Sequence, residues 1–187
     1  MPSVYDLKPR FQALLRPLVG RLAAIGVTPN QITLLTCAIS IALGLALWRK
    51  PIWPLLPIWL FLRMALNAID GMLAKEHGQQ TRLGALLNEL TDPIADAFLF
   101  LPFTAPLGPL WTGTLVFLAT LTELTSLTVQ TLTGARPNHG PMGKSDRALV
   151  LGGAAAWLAL GGSLHEVFSP LMALLLVATV YNRAGQI

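Results

Sequence analysis

The chain alternates between long apolar runs and short breaks that are polar or rich in proline. Each run is close to the roughly 20 residues that a helix needs to cross a hydrocarbon core. The pattern predicts an all-α integral membrane protein with six transmembrane helices, a tight turn at 104–109 and a polar loop at 134–146. The predicted spans are residues 31–48, 55–76, 81–103, 110–133, 147–162 and 167–183.

A different pattern precedes the first span. In residues 3–25, apolar side chains recur at helical spacing and arginines lie elsewhere around the helix. This predicts an amphipathic helix that lies in the membrane interface, with its basic face toward anionic head groups. We expect Pro17 to kink this helix and Pro29 to begin the next one.

Composition supports a membrane protein. The 187 residues are 53% hydrophobic and 12% charged, and a soluble domain would carry about twice that charged fraction. The length predicts one domain over 1–187, in which residues 31–183 form the transmembrane core. Cys37 is the single cysteine, so no disulfide is expected. Basic loops beside a membrane explain the net charge of +4, and no nucleic-acid partner is expected.

The distribution of basic residues predicts the orientation. Six spans would place both termini on one side of the membrane, and most lysines and arginines fall on that side. Arg49 and Lys50 fall on the other side. The positive-inside rule therefore predicts a multi-pass protein of the inner (plasma) membrane with cytoplasmic termini. The loop at 134–147 and the acidic segment described next would face the cytoplasm too.

One segment, residues 67–96, is unusually acidic for this apolar chain. It holds five of the nine acidic residues, namely Asp70, Glu76, Glu89, Asp92 and Asp96. A charged carboxylate near the centre of a bilayer costs roughly 2.5–3.5 kcal/mol even on lenient scales. Such a group of carboxylates therefore requires a water-filled cavity or a bound cation.

Helical spacing groups these side chains. Asn67 and Asp70 are three residues apart on one predicted helix, and Asn88, Asp92 and Asp96 are four apart on the next. A helical hairpin would bring the two faces together as a cluster of carboxylate and amide oxygens. Hard oxygen ligands of this kind suit Mg²⁺, Mn²⁺ or Ca²⁺.

Two other interpretations use the same carboxylates. They could form a buried ion network with Arg63, Arg82 or Lys75. They could also line the path of a small cation transporter.

The segment resembles the signature of the CDP-alcohol phosphotransferases, D-x-x-D-G-x-x-A-R-x8-G-x3-D-x3-D. Every spacing matches, at Asn67, Asp70, Gly71, Ala74, Lys75, Gly84, Asn88 and Asp92. The sequence departs from the signature at three of these positions, where Asn67 and Asn88 replace aspartates and Lys75 replaces arginine.

The resemblance implies a metal-dependent site. In the family, four aspartates hold two divalent ions, Mg²⁺ or Mn²⁺, which bind the diphosphate. By position, Asp70 is the surviving metal ligand, and Asn67 and Asn88 offer neutral carbonyl oxygens. Asp92 is both a metal ligand and the catalytic base that takes the proton from the acceptor alcohol.

The two lost charges weaken a two-metal site, because the Coulomb attraction of two carboxylates is gone. We therefore expect either one well-held metal ion or a replacement oxygen from Asp96 or Glu89. Asp96 is the better placed, because it shares a face with Asn88 and Asp92, whereas Glu89 lies about 100° away from Asn88.

The resemblance also implies which residues bind the substrates. Arg136, Lys144 and Arg147 would bind the acceptor, and Lys144 and Arg147 could hold a phosphate on it, although ordinary membrane-flanking charge explains them equally well. The expected contacts of the CDP group are Asn30, Gln31, Ile32, Thr33, Gly71, Ala74, Lys75 and Thr81.

These features predict an enzyme of phospholipid biosynthesis. It would transfer a substituted phosphate group, phosphatidyl in the first instance, from a CDP-alcohol donor lipid to a hydroxyl acceptor and release CMP. By resemblance, we expect a homodimer in contact with membrane lipids. The alternative is a catalytically impaired family member that binds a nucleotide or lipid without transfer.

Overall fold

The computed structural model describes residues 4–137 and 139–186, and every regular element in these ranges is helical. Seven α-helices occur in the described ranges, and a short 3₁₀ helix, Leu101–Phe103, follows α4. Their bounds are α1 Val4–Ala24, α2 Pro29–Arg49, α3 Leu55–Glu76, α4 Arg82–Phe100, α5 Thr104–Thr133, α6 Lys144–Ala159 and α7 Phe168–Ala184.

Three helical segments of the described chain are long and apolar enough to cross a membrane: Pro29–Arg49, Leu55–Glu76 and Arg82–Thr133. The third segment is 52 residues long and includes two of the predicted spans. Phe168–Ala184 is a shorter apolar helix. The helical pattern of the prediction is therefore confirmed, while the count of six crossings stays a prediction.

A helix, α1, is present where the amphipathic helix was predicted, although residue 3 lies outside the described residues, and its amphipathic character stays a prediction. The helix includes Pro9 and Pro17 and continues to Ala24. Its position in a membrane interface stays a prediction.

The expected turn at 104–109 is wrong. Residues from Thr104 onward are helical, and the break is confined to Gly108, which has a φ of 79° and a ψ of 160°. Pro106 is tolerated because it lies in the first turn of α5, where an amide hydrogen is not needed. Glycine is suited to the break because it adopts a positive φ without a steric penalty.

The polar loop is shorter than expected, because α6 begins at Lys144 rather than 147. The Asp146 carboxylate accepts a hydrogen bond from the Gly143 amide at 3.0 Å. The polar residues 144–146 are thus the first turn of α6. The Asp146 carboxylate satisfies an amide at the N-terminal, positive end of this helix.

The chain divides into two compact units. The first unit contains the residues up to Ile39 together with Phe61–Asp92, and the second contains Ser40–Leu60 and the residues from Pro93 onward. A single membrane domain over 1–187 stays a prediction.

The core of the first unit joins α1, α2 and α3. It consists of Val19, Ile32, Ile69, Met72 and Leu73, each 7% exposed or less. This apolar cluster holds the start of α2 against the second half of α3, which carries the first half of the signature.

In the second unit, α2 and α4 residues approach closely at a glycine. A Cβ placed on Gly44 would overlap the carbonyl of Phe98, which is a backbone group and cannot rotate away. By contrast, a Cβ on Gly113 of α5 would meet nothing within 4 Å.

Replacement of Gly44 by alanine should therefore destabilise the protein by roughly 1–3 kcal/mol, the usual cost of overpacking. The change would be measured by thermal unfolding in detergent, with the loss of monodisperse protein as the readout. Gly113→Ala is the matched control and should be neutral or slightly stabilising, because alanine favours an exposed helix. Equal melting of the two variants would contradict the close approach.

Candidate active site

The signature positions from Asn67 to Asp92 all lie in the first unit. On α3, Asn67 follows Arg63 by four residues and Asp70 follows Asn67 by three, so the three side chains share one face. On α4, Asn88 and Asp92 are one turn apart. The helical placement predicted for these residues is confirmed.

Asp70 is held by the start of α2. Its carboxylate Oδ2 lies 3.0 Å from the Thr33 hydroxyl, which donates to it. The same hydroxyl lies 3.0 Å from the Pro29 carbonyl one turn earlier. Asp70 is only 8% exposed, so this contact orients a nearly buried carboxylate.

Asp92 is paired with a buried arginine. Arg63 donates from Nη2 to the Asp92 carboxylate Oδ1 at 3.3 Å and to the Asp92 main-chain oxygen at 3.2 Å. Arg63 is 5% exposed, and the Asp92 side chain is 17% exposed. The pairing with Arg63 that the ion-network interpretation predicted is therefore present.

Residues at the starts of α2 and α4 build a pocket in the same unit. Thr28 precedes α2, and the Gln31 side chain accepts a hydrogen bond from the Thr28 amide at 2.9 Å. Thr81 precedes α4, and its hydroxyl accepts a hydrogen bond from the Gly84 amide at 2.9 Å. Both are side-chain contacts that satisfy amides at a helix start.

The pocket has a volume of about 220 Å³ and lies between these two helix starts. It is lined by Thr28, Pro29, Asn30, Gln79 and Thr81. Asn30 and Thr81 were predicted to contact CDP, so the structure brings these two together.

Gly84 permits this convergence. A Cβ on Gly84 would lie 2.7 Å from the Asn30 side-chain oxygen and 3.0 Å from the Thr81 hydroxyl oxygen. The first distance is too short for a real side chain and the second is tight, so a side chain at this signature position would displace the Asn30 amide. At Gly71, by contrast, a Cβ would meet nothing within 4 Å, so the space beside it is open.

Gln79 is a pocket residue that sequence reasoning missed. The chain reverses at Gly78, which has a φ of 66°, and the Gln79 amide donates to the Ala74 carbonyl at 3.0 Å. This is the hydrogen bond of a glycine-terminated helix. The Gln79 Oε1 is buried and has no hydrogen-bond partner among the described residues. The position of Gln79 directly after the helix-ending Gly78 was the signal in the sequence that could have identified it as a site residue.

Other predicted contacts of the CDP group have different surroundings. Ile32 packs in the apolar cluster of the first unit, Gln31 caps α2, and Thr33 binds Asp70. Ala74 is half-buried and Lys75 is exposed. Direct contacts of these residues with a nucleotide stay predictions.

Asp96 lies in the second unit, within a group of buried ions. Its carboxylate Oδ2 accepts a hydrogen bond from Arg147 Nη2 at 3.0 Å. The same guanidinium nitrogen donates to Glu123 Oε1 at 3.0 Å. Arg147 is 2% exposed, so both carboxylates balance a charge that is removed from solvent.

Two further arginines lie close to the Glu123 carboxylate. Arg183 lies 3.5 Å and Arg136 lies 3.7 Å from its carboxylate oxygens. Arg183 also donates to the Thr122 carbonyl. Arg136 and Arg147, predicted to bind the acceptor, are thus brought together, and Lys144 opens α6 nearby in the sequence. Arg183 was missed as a member of this group, although a basic residue at the end of an apolar run was a visible signal.

The oxygen donors fit a hard divalent cation. Asp70 and Asp92 supply carboxylates, and the half-buried Asn67 and Asn88 can supply amide oxygens. Among the described residues, however, no three His, Cys, Asp or Glu side chains group closely enough to hold a metal ion by themselves. A metal site here would depend on the amides and on the ligand's own oxygens.

Comparison with known proteins identifies the family. The sequence profile of CDP-alcohol phosphatidyltransferases matches residues 26–181. The chain is 45% identical to the inner membrane protein YnbA of Escherichia coli K12, over 99% of this chain and 96% of that protein. It therefore belongs to the CDP-alcohol phosphatidyltransferase family.

More distant relatives include enzymes of stated activity. The chain is 32% identical to the phosphatidylinositol phosphate synthase of Mycobacteroides abscessus, over 59% of this chain and 50% of that enzyme. It resembles the crystal structure of the Mycobacterium tuberculosis phosphatidylinositol phosphate synthase with CDP-DAG bound, with a TM-score of 0.68 and 24% identity over 90% of this chain and 89% of that chain. The structure of the same enzyme with manganese and citrate matches with a TM-score of 0.72 and 22% identity, over 90% of this chain and 86% of that chain. These likenesses establish the fold.

The buried ions of the second unit allow a stability test. Glu123→Gln removes the carboxylate that three arginines share, and breaking a buried ion pair from one side costs roughly 3–5 kcal/mol. We expect a clearly lower thermal midpoint in detergent. Glu166→Gln, which changes an exposed glutamate of the same unit, is the control and should melt like the parent. A Glu123→Gln midpoint equal to that control would show that the ions do not stabilise the fold.

Proposed function

We propose that this protein transfers a substituted phosphate group, phosphatidyl in the first instance, from a CDP-alcohol such as CDP-diacylglycerol to a hydroxyl acceptor. CMP is the other product. The observation that carries the proposal is that Asn30 and Thr81 line one pocket, with Gly84 against both side chains, in the same unit as Asp70 and Asp92.

The nucleotide is proposed to bind at this pocket. The Asn30 amide and the Thr81 hydroxyl offer both donors and acceptors, and the buried Gln79 oxygen offers an acceptor that needs a donor. An amine or hydroxyl of a nucleotide would supply that donor. The open space beside Gly71 leaves room for the diphosphate near Asp70.

Asp92 is proposed as the general base. In the reaction, the acceptor oxygen forms a bond to the phosphorus that carries the transferred group. The bond from that phosphorus to the oxygen of the CMP phosphate breaks, and CMP leaves with the electron pair. Asp92 takes the proton of the acceptor hydroxyl, and its salt bridge with Arg63 orients the carboxylate.

A divalent ion, Mg²⁺ or Mn²⁺, would neutralise the diphosphate and polarise its phosphoryl oxygens when bound. Asp70 and Asp92, with Asn67 and Asn88, would hold it. The family membership and the manganese complex of the Mycobacterium tuberculosis enzyme support metal dependence here.

The acceptor is proposed to bind at Arg136, Lys144 and Arg147, as the resemblance implies. A homodimer in the inner membrane with a cytoplasmic active site completes the proposal. The similarity to an inner membrane protein over nearly the whole chain supports the location.

A family member that binds without transfer is the second candidate. Asn67 and Asn88 favour it, because each replaces a charged ligand by a neutral one. Release of CMP distinguishes the transferase from the protein that only binds.

Purified protein in detergent should release CMP from CDP-diacylglycerol when Mg²⁺ or Mn²⁺ and a suitable alcohol are present. Asp92→Asn keeps the size of the side chain but removes the base, and we expect at least a hundredfold lower rate, the usual contribution of a general base. Binding of CDP by the parent without release of CMP, across a panel of alcohols, would favour the binding-only candidate.

Gly84→Ala should weaken CDP binding, because the added methyl group displaces the Asn30 side chain. We expect about a tenfold higher Kd in calorimetry, equivalent to about 1.4 kcal/mol. The fold should tolerate the change, since the atoms that must move belong to side chains.

Gly20→Ala is the matched control, because a Cβ on Gly20 of α1 would meet nothing within 4 Å. It should bind CDP like the parent. Unchanged CDP binding by Gly84→Ala would remove the pocket from the proposed site.

A further inference from the structure

Arg63 lies next to two of the proposed ligands, Asn67 and Asp92. It is one helical turn before Asn67 on α3, and its guanidinium contacts Asp92 at 3.3 Å. At 5% exposed, it is a charge removed from solvent. An arginine buried in an apolar helix requires a compensating anion, and here that anion is the proposed base.

The charges of the site then do not balance two metal ions. Asp70 and Asp92 each contribute −1, Arg63 contributes +1, and the amides of Asn67 and Asn88 contribute none. The fixed charge is therefore −1. One divalent ion brings the site to +1, whereas a second would bring it to +3 in a partly buried environment, where like charges repel far more strongly than in water.

We propose that Arg63 is a built-in cation of the active site, which holds Asp92 in a salt bridge and takes the place of a second divalent ion. The chain would accordingly bind one divalent ion, with Asp70 as its oriented carboxylate ligand. The guanidinium is a permanent charge with several donors in a fixed plane, which suits it to stand beside phosphoryl oxygens. This role toward the diphosphate rests on the proposed function, whereas the metal count does not.

The test is Mn²⁺ binding by the detergent-purified protein without donor or acceptor, measured by calorimetry and by the paramagnetic resonance signal of free Mn²⁺. The parent should bind one equivalent. Arg63→Gln raises the fixed negative charge of this set to −2 and removes the salt bridge with Asp92, so it should bind Mn²⁺ at least tenfold more tightly or take a second equivalent. Arg63→Lys keeps the charge and should bind one equivalent.

Arg21→Gln is the matched control, because it removes an exposed arginine from the same unit. It should bind Mn²⁺ like the parent. Should Arg63→Gln fail to fold, Asn67→Asp provides the second variant, because it adds a carboxylate while Arg63 stays. It should bind one ion more tightly than the parent does.

Two equivalent Mn²⁺ sites in the parent would overturn the proposal. So would identical Mn²⁺ binding by Arg63→Gln and the parent, or two equivalents bound by Asn67→Asp. Since no turnover is involved, these outcomes are separate from the CMP-release experiment. A protein that binds one Mn²⁺ but releases no CMP would refute the proposed transferase activity and support the proposal that Arg63 replaces a second divalent ion.

Discussion

Charge that is buried in apolar helices must be balanced, and this constraint organises both compact units. In the first unit, Arg63 is balanced by Asp92. In the second, Arg147 is balanced by Asp96 and Glu123. Removing ions from water costs several kcal/mol each unless partners and hydrogen bonds compensate. Each arginine therefore dictates where a carboxylate must lie, and α4 carries one partner for each of them.

Helix starts, rather than helix faces, shape the candidate nucleotide pocket. Thr28 and Thr81 are the residues that precede α2 and α4, and Gly78 ends α3 between them in the chain. Polar side chains are needed at these positions to satisfy backbone amides. Thr28 and Thr81 are also exposed, so their polar groups are not desolvated by apolar packing. A polar ligand site can therefore form at this surface of an apolar protein.

The two asparagines change the character of the site more than its shape. Asparagine is nearly isosteric with aspartate, so α3 and α4 keep the signature spacing. The loss of two negative charges, however, lowers the Coulomb attraction of these positions for a divalent cation. In a site with four carboxylates and two divalent ions, the charges already cancel, so the Arg63 guanidinium would add an unbalanced positive charge. The substitutions and Arg63 are therefore best understood together, as one electrostatic arrangement.

Local pattern determined much of this protein. Apolar runs placed α2, α3, α4 and α7 within a few residues, and the spacing from Asn67 to Asp92 identified the family. Helix boundaries went wrong where local chemistry is ambiguous. The prolines and glycine at 104–109 resemble a turn, yet they lie at a helix start and a single break. Polar residues at 144–146 resemble a loop, yet Asp146 caps a helix.

Only tertiary structure decided how the charged side chains pair. Sequence spacing put Asp92 and Asp96 on one helical face and offered Arg63, Arg82 or Lys75 as partners without assigning a carboxylate to any of them, because periodicity does not specify which neighbouring helix supplies a counter-ion. The structure pairs Asp92 with Arg63 and Asp96 with Arg147. It also revealed Gln79 in the pocket and Arg183 beside Glu123. Contacts between residues distant in the chain depend on packing, and packing is a property of the folded chain that no local pattern encodes.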